Sequence, residues 1–102
     1  MACTKVGSPN YISPEIWAGR GYSYKCDLWS LGVLIFELCE FRSPFEPKYL
    51  FEIQRGDARQ RNLTLSKKYS QSLENLVNNL LKINHSERLD AEDVKKVCIL
   101  RS

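Results

Sequence analysis

The residues able to do chemistry in this sequence are few and scattered. His85 is the single histidine, and Cys3, Cys26, Cys39 and Cys98 form no CxxC pair. A structural metal site needs clustered Cys and His, and a thiol nucleophile needs an imidazole base, so neither is supported. Gly7, Gly19, Gly21, Gly32 and Gly56 make no GxGxxG phosphate cradle. What remains is a pair of carboxylates placed where helices begin. Glu15 follows Ser13-Pro14, a cap and first-turn proline, and Asp27 follows Ser23 by one turn. Each meets the positive end of a helix dipole.

The element that must carry Asp27 is the stretch Tyr24 to Cys39. Leu28, Leu31, Leu34, Ile35 and Leu38 recur at helical spacing, and Trp29, Val33 and Phe36 make the other faces apolar too. A helix apolar nearly all round is expected to be buried on every side. Ser30, Gly32 and Glu37 interrupt it, and it falls short of the roughly 20 residues of a bilayer span. The helix is expected to end before Ser43-Pro44, because proline bars helical geometry at the preceding residue.

Around it the chain reads as follows. Residues 1–22 hold two Ser-Pro turns and three glycines and form an irregular segment, with a short helical turn at Pro14. A second helix is predicted from Lys48 to Arg55, stopped by Gly56. Residues 57–69 are polar and basic and read as loop. Leu73, Leu76, Val77, Leu80 and Leu81 fit one helical face over 70–82, and a last helix is predicted from Asp90 to Leu100. No strand pattern stands out, so the expected fold class is all-α.

With 102 residues there is room for one domain that buries roughly 65% of its unfolded surface. Fifteen Lys and Arg against twelve Asp and Glu leave +3, a balance that announces neither nucleic acid nor an anionic membrane. There is no basic-then-apolar leader, so the thiols are read as reduced and the chain as intracellular, in the cytoplasm or nucleus. The sequon Asn62-Leu63-Thr64 is accordingly read as chance.

Several motifs, in order, resemble the C-terminal lobe of a eukaryotic protein kinase. Val6 to Glu15, VGSPNYISPE, is similar to the end of an activation segment with its Ser-Pro-Glu signature. Asp27 to Gly32, DLWSLG, is similar to the opening of the central helix of that lobe. Ser43-Pro44-Phe45 and Glu87-Arg88-Leu89 resemble the motifs that follow it. CTKVGSPNYISPE and FEIQRGDARQRN are most similar to the NIMA-related Ser/Thr kinases. Asn10, where an aromatic is common, and Leu89, where proline is usual, depart from the pattern.

The resemblance implies a partial kinase domain over 1–102, with 1–22 the end of the activation segment and 23–100 a helical lobe. It implies ATP-dependent phosphorylation of protein Ser/Thr as the family activity, and a protein as substrate or partner, with no nucleic acid and no membrane. By residue, it implies Thr4 as the activating phosphosite, where phosphate adds about −1.5 to −2 charge. Gly7, Ser8, Pro9 and Tyr11 become the substrate-facing loop. Glu15 pairs with Arg88, Asp27 holds the catalytic loop, and Trp29 and Gly32 are structural. Without the resemblance, Thr4 is a threonine near a terminus and Ser8-Pro9 an ordinary turn.

Phosphoryl transfer also needs a cover for the ATP phosphates, a lysine, magnesium ligands and a carboxylate for the substrate hydroxyl. The sequence holds none of those motifs, so no catalytic residue, ATP site or magnesium site is expected within these residues. The competing expectation is a non-catalytic module that docks an acidic partner through Arg55, Arg59, Arg61, Lys67 and Lys68. As a fragment, the chain should expose an apolar patch on the central helix, leave Asp27 without its usual donors, and be poorly soluble or molten, whereas a sharp cooperative melt would favour the module.

Overall fold

The computed structural model describes residues 9–89, and within them the chain forms a 3-10 turn at Pro9–Tyr11 and four α-helices with no strand. These are α1 (Pro14–Trp17), α2 (Tyr24–Glu40), α3 (Pro47–Arg55) and α4 (Gln71–Leu80). The helix expected from Asp90, with Thr4, Gly7 and Ser8, lies outside the described residues.

The local rules that start and stop these helices are met by name except at α1, where Ser13 stands at the cap position but its hydroxyl makes no cap hydrogen bond. The Ser23 hydroxyl accepts from the Lys25 N–H at the start of α2, and the Ser70 hydroxyl accepts from the Leu73 N–H at the start of α4. Pro14 and Pro47 occupy the first turns of α1 and α3. Gly56 closes α3 in the left-handed region at φ 88°. α2 ends at Glu40 and is capped by Phe41, two residues before Ser43, a bulky residue at φ 57° whose N–H donates to the Glu37 carbonyl.

The core sits on one side of α2. Trp29, Val33 and Phe36 meet Phe45, Tyr49 and Ile53 from α3 and its lead-in, and Val77 and Leu81 from α4 and its cap. Trp29 stacks on Phe45 with ring centroids 5.4 Å apart. Gly32 allows α4 its approach, since a Cβ there would lie 2.8 Å from the Cβ of Leu80 and 2.9 Å from Cδ2 of Leu81.

The other side of α2 departs from burial all round and carries the exposed apolar residues expected of an uncovered central helix. Leu34 is 43% exposed, Leu38 65% and Phe41 85%. These residues fall on one face at i, i+4 and i+7, turned away from the core elements. Apolar composition on all faces states what a helix could bury, whereas burial depends on which elements pack against it. Among the described residues no helix is long and apolar enough to cross a membrane.

The stretch 57–69 is irregular, as expected, but it is not loose. From 62 to 66 exposure alternates, with Leu63 and Leu65 half-buried against the core and their neighbours exposed. The polar face of α4 holds this segment: the Leu63 N–H donates to Asn78 Oδ1 at 2.7 Å, Asn78 Nδ2 donates to the Leu63 carbonyl at 2.8 Å, and the Leu65 N–H donates to Glu74 at 2.8 Å. Glu40 takes the Ser66 N–H at 2.9 Å. Backbone donors outside regular structure thus find side-chain acceptors.

Candidate functional site

The segment at 9–22 is held on the helical body by a small set of long-range contacts. Trp29, 1% exposed, donates from Nε1 to the Asn10 carbonyl at 3.1 Å. One turn on, the Ser30 hydroxyl donates to the Tyr11 carbonyl at 2.8 Å. The Tyr11 hydroxyl donates to Glu37, and burial, followed by that carboxylate, pushes the phenol up to about 12. Pro9 is exposed at the start of this turn.

The strongest tie is ionic. Arg88 Nη1 donates to Glu15 Oε2 at 2.8 Å and Nη2 donates to Oε1 at 3.1 Å, a bidentate pair that is buried on both sides. Burial alone would raise the Glu15 carboxyl, but the Arg88 guanidinium overrides it and holds the group below the ordinary carboxylate value. The remaining Arg88 donors reach the carbonyls of Lys25 and Lys82, at 2.8 Å from Nη1 and 3.0 Å from Nε. Its guanidinium also lies over the Trp29 ring, 5.3 Å from the centroid. In return Lys25 Nζ donates to the carbonyls of His85 and Arg88, both at 3.0 Å. The chain ends of α1, α2 and α4 therefore meet at one guanidinium.

Asp27, expected to lack the donors of a catalytic loop, finds a local one instead. It is exposed at the N-terminus of α2 and accepts a hydrogen bond from the Tyr22 hydroxyl. The structure thus gathers Tyr11, Glu15, Trp29 and Arg88 on one side of α2, Gly32 at the α4 contact, and Asp27 apart from them. Sequence reasoning missed Lys25, Ser30 and Glu37. Their partners are backbone carbonyls or a residue 26 positions away, and neither leaves a periodic signal.

None of these groups forms a reaction centre. Among the described residues no group of three His, Cys, Asp or Glu could hold a metal ion. Cys26, fully buried, donates weakly to Glu15 at 3.6 Å and packs as a small hydrophobe. The arrangement is a brace: it fixes the path of 9–22 against a helical body.

A brace of this kind, a Ser-Pro-Glu segment pinned to a central helix through a buried Arg, accords with the comparisons to known proteins. The protein kinase domain family matches residues 1–98, and the chain belongs to that family. Its relatives are NIMA-related Ser/Thr kinases. It is 39% identical over 95 residues to serine/threonine-protein kinase Nek3 of Mus musculus, covering 89% of this chain and 18% of that protein. It is 37% identical over 93 residues to serine/threonine-protein kinase nekl-2 of Caenorhabditis elegans, covering 91% and 26%. With the G2-specific protein kinase nim-1 of Neurospora crassa it shares 35% over 101 residues, covering 99% and 12%. The chain therefore spans about a quarter or less of the length of these relatives.

Proposed function

We propose that these residues serve a Ser/Thr protein kinase as the support of its activation segment and contribute no catalytic group themselves. The observation that carries this reading is the buried bidentate Glu15–Arg88 pair, together with the anchoring of the backbone at 10 and 11 by Trp29 and Ser30. In it, Gly7, Ser8, Pro9 and Tyr11 face a protein substrate, a phosphate on Thr4 orders the segment, and Asp27 steadies a catalytic loop. ATP and magnesium are bound by motifs that this sequence does not contain. The setting is intracellular, and the partner is a protein and neither nucleic acid nor membrane.

The test is a magnesium-dependent nucleotide titration of the 102-residue chain. No saturable ATP binding is expected, and saturable binding would overturn the non-catalytic assignment. The supporting role is read in a longer protein carrying the ATP-binding motifs, where Arg88→Ala should lower phosphorylation of a protein substrate and leave ATP affinity intact.

The alternative, a docking module built on the basic loop, is weakened because two of its five cations are paired with nearby acids, Asp57 in the loop and Glu46 at the start of α3. Arg55 pairs with Asp57 at 2.7 Å, and Arg61 pairs with Glu46 while lying over the Tyr49 ring at 3.9 Å.

A further inference from the structure

Beside the Glu15–Arg88 brace lies a cleft of about 290 Å³, bounded by α1, the C-terminal end of α3 and the turn at 83–85. Pro14, Ala18 and Ile83 wall it, and Ile53, 2% exposed, forms its floor. Ligand pockets run from roughly 300 Å³ upward, so the cleft suits an aliphatic side chain and its flanking backbone.

The rim carries the charge. Among the described residues the only acid of the lining is Glu15, and both of its oxygens are bound to Arg88. Arg20 lines the mouth, is exposed, and makes no ion pair with any described residue. Lys25 lies outside the lining, its Nζ held by the His85 and Arg88 carbonyls, so among the described residues Arg20 is the cation of the mouth. Unlike Arg55 and Arg61, Arg20 keeps its charge for a partner.

We infer that this cleft docks a short acidic segment of a partner protein, with an aliphatic side chain entering between Ala18 and Ile83 and a flanking carboxylate on Arg20. An apolar floor under an unneutralised cationic rim excludes basic segments and leaves a purely charged one without its anchor. The inference is independent of the role in a kinase.

The experiment is fluorescence anisotropy of labelled peptides on the full chain, with backbone amide NMR to place the contact. The probes are Asp-Glu-Leu-Glu-Asp, its Ser-centred analogue and Lys-Lys-Leu-Lys-Lys. The Leu-centred acidic peptide should bind and shift the amides of Ala18, Arg20, Ile83 and Asn84. Arg20→Glu and, separately, the cleft-filling Ala18→Leu should each weaken it about tenfold or more; both sites are exposed, and circular dichroism checks the fold. Absence of binding, equal binding of the lysine or serine peptide, equal binding of an oligonucleotide of matched charge, or indifference to both substitutions would overturn it.

Discussion

Glu15 and Arg88, 73 positions apart in the chain, share two hydrogen bonds with almost no water contact on either side chain. Removing one partner strands the other's charge in a buried site, and such losses run to roughly 3–5 kcal/mol. Arg88→Ala should therefore unfold the chain at a clearly lower urea midpoint. Arg88→Lys should recover little, because an ammonium cannot reproduce the fork that also reaches the Lys25 and Lys82 carbonyls. The same pair fixes an acid limb. A carboxyl held below its unfolded value contributes its full stabilisation above that value, so stability should fall as pH drops below the ordinary glutamate value of about 4.3 toward the lower folded one. In Glu15→Gln that limb should be shallower.

Gly32→Ala sets two effects against each other. Alanine in a helix interior gains about 1 kcal/mol over glycine. Here the new methyl would sit 2.8 Å from the Leu80 Cβ, an atom fixed to the α4 backbone, so α4 must shift. Overpacking of that kind costs roughly 1–3 kcal/mol, and a net loss in a urea melt is expected; a gain would show that α4 slides freely on α2.

Two serines at helix starts should respond in opposite ways. Ser70 caps α4 through the Leu73 N–H at 3.2 Å, and Ser70→Ala should cost about 1 kcal/mol. Ser13 precedes α1 but its hydroxyl is buried with no hydrogen-bond partner. An unsatisfied buried hydroxyl is itself destabilising, so Ser13→Ala should be neutral or raise the melting temperature. A loss equal to that of Ser70→Ala would contradict the geometry.

Tyr11 gives the fold an alkaline limit. Its phenol keeps its proton more firmly in the folded state, at about 12, than the roughly 10 of an unfolded tyrosine. The stabilisation is complete below about pH 10 and is lost as pH rises toward 12. Burial also raises the Tyr49 phenol, so ultraviolet titration should show late ionising phenols whose amplitude falls by one tyrosine in Tyr11→Phe.

Much of this fold is legible in the sequence, for reasons that differ by element. α4 shows itself through Leu73 to Leu81 at helical spacing, and its end through loss of that period. α3 is framed by Pro47 and Gly56, whose backbone chemistry is local. The faces of α2 are not legible, because Leu34 and Leu38 are as apolar as Leu28 and only the packing distinguishes them. At the brace, Glu15 and Arg88 are placed together by family resemblance and by no spacing rule. Lys25, Ser30 and Glu37 bind carbonyls or a distant phenol, and such partners carry no sequence signature. Phe41 ends α2 in a left-handed conformation that glycine or asparagine would have announced.

The ladder between 63–65 and α4 couples two different periods. Two residues of chain can advance about 6.6 Å when extended and one turn plus a little of helix, from Asn78 back to Glu74, about 6 Å, so two rows of partners of this spacing stay in phase only over a short run. A single residue inserted between Leu63 and Leu65 would move the second N–H off Glu74 and, by alternation, turn an apolar side chain from core to solvent. This irregular segment should accordingly tolerate changes of side chain far better than changes of length, which is the behaviour of a strand without a sheet.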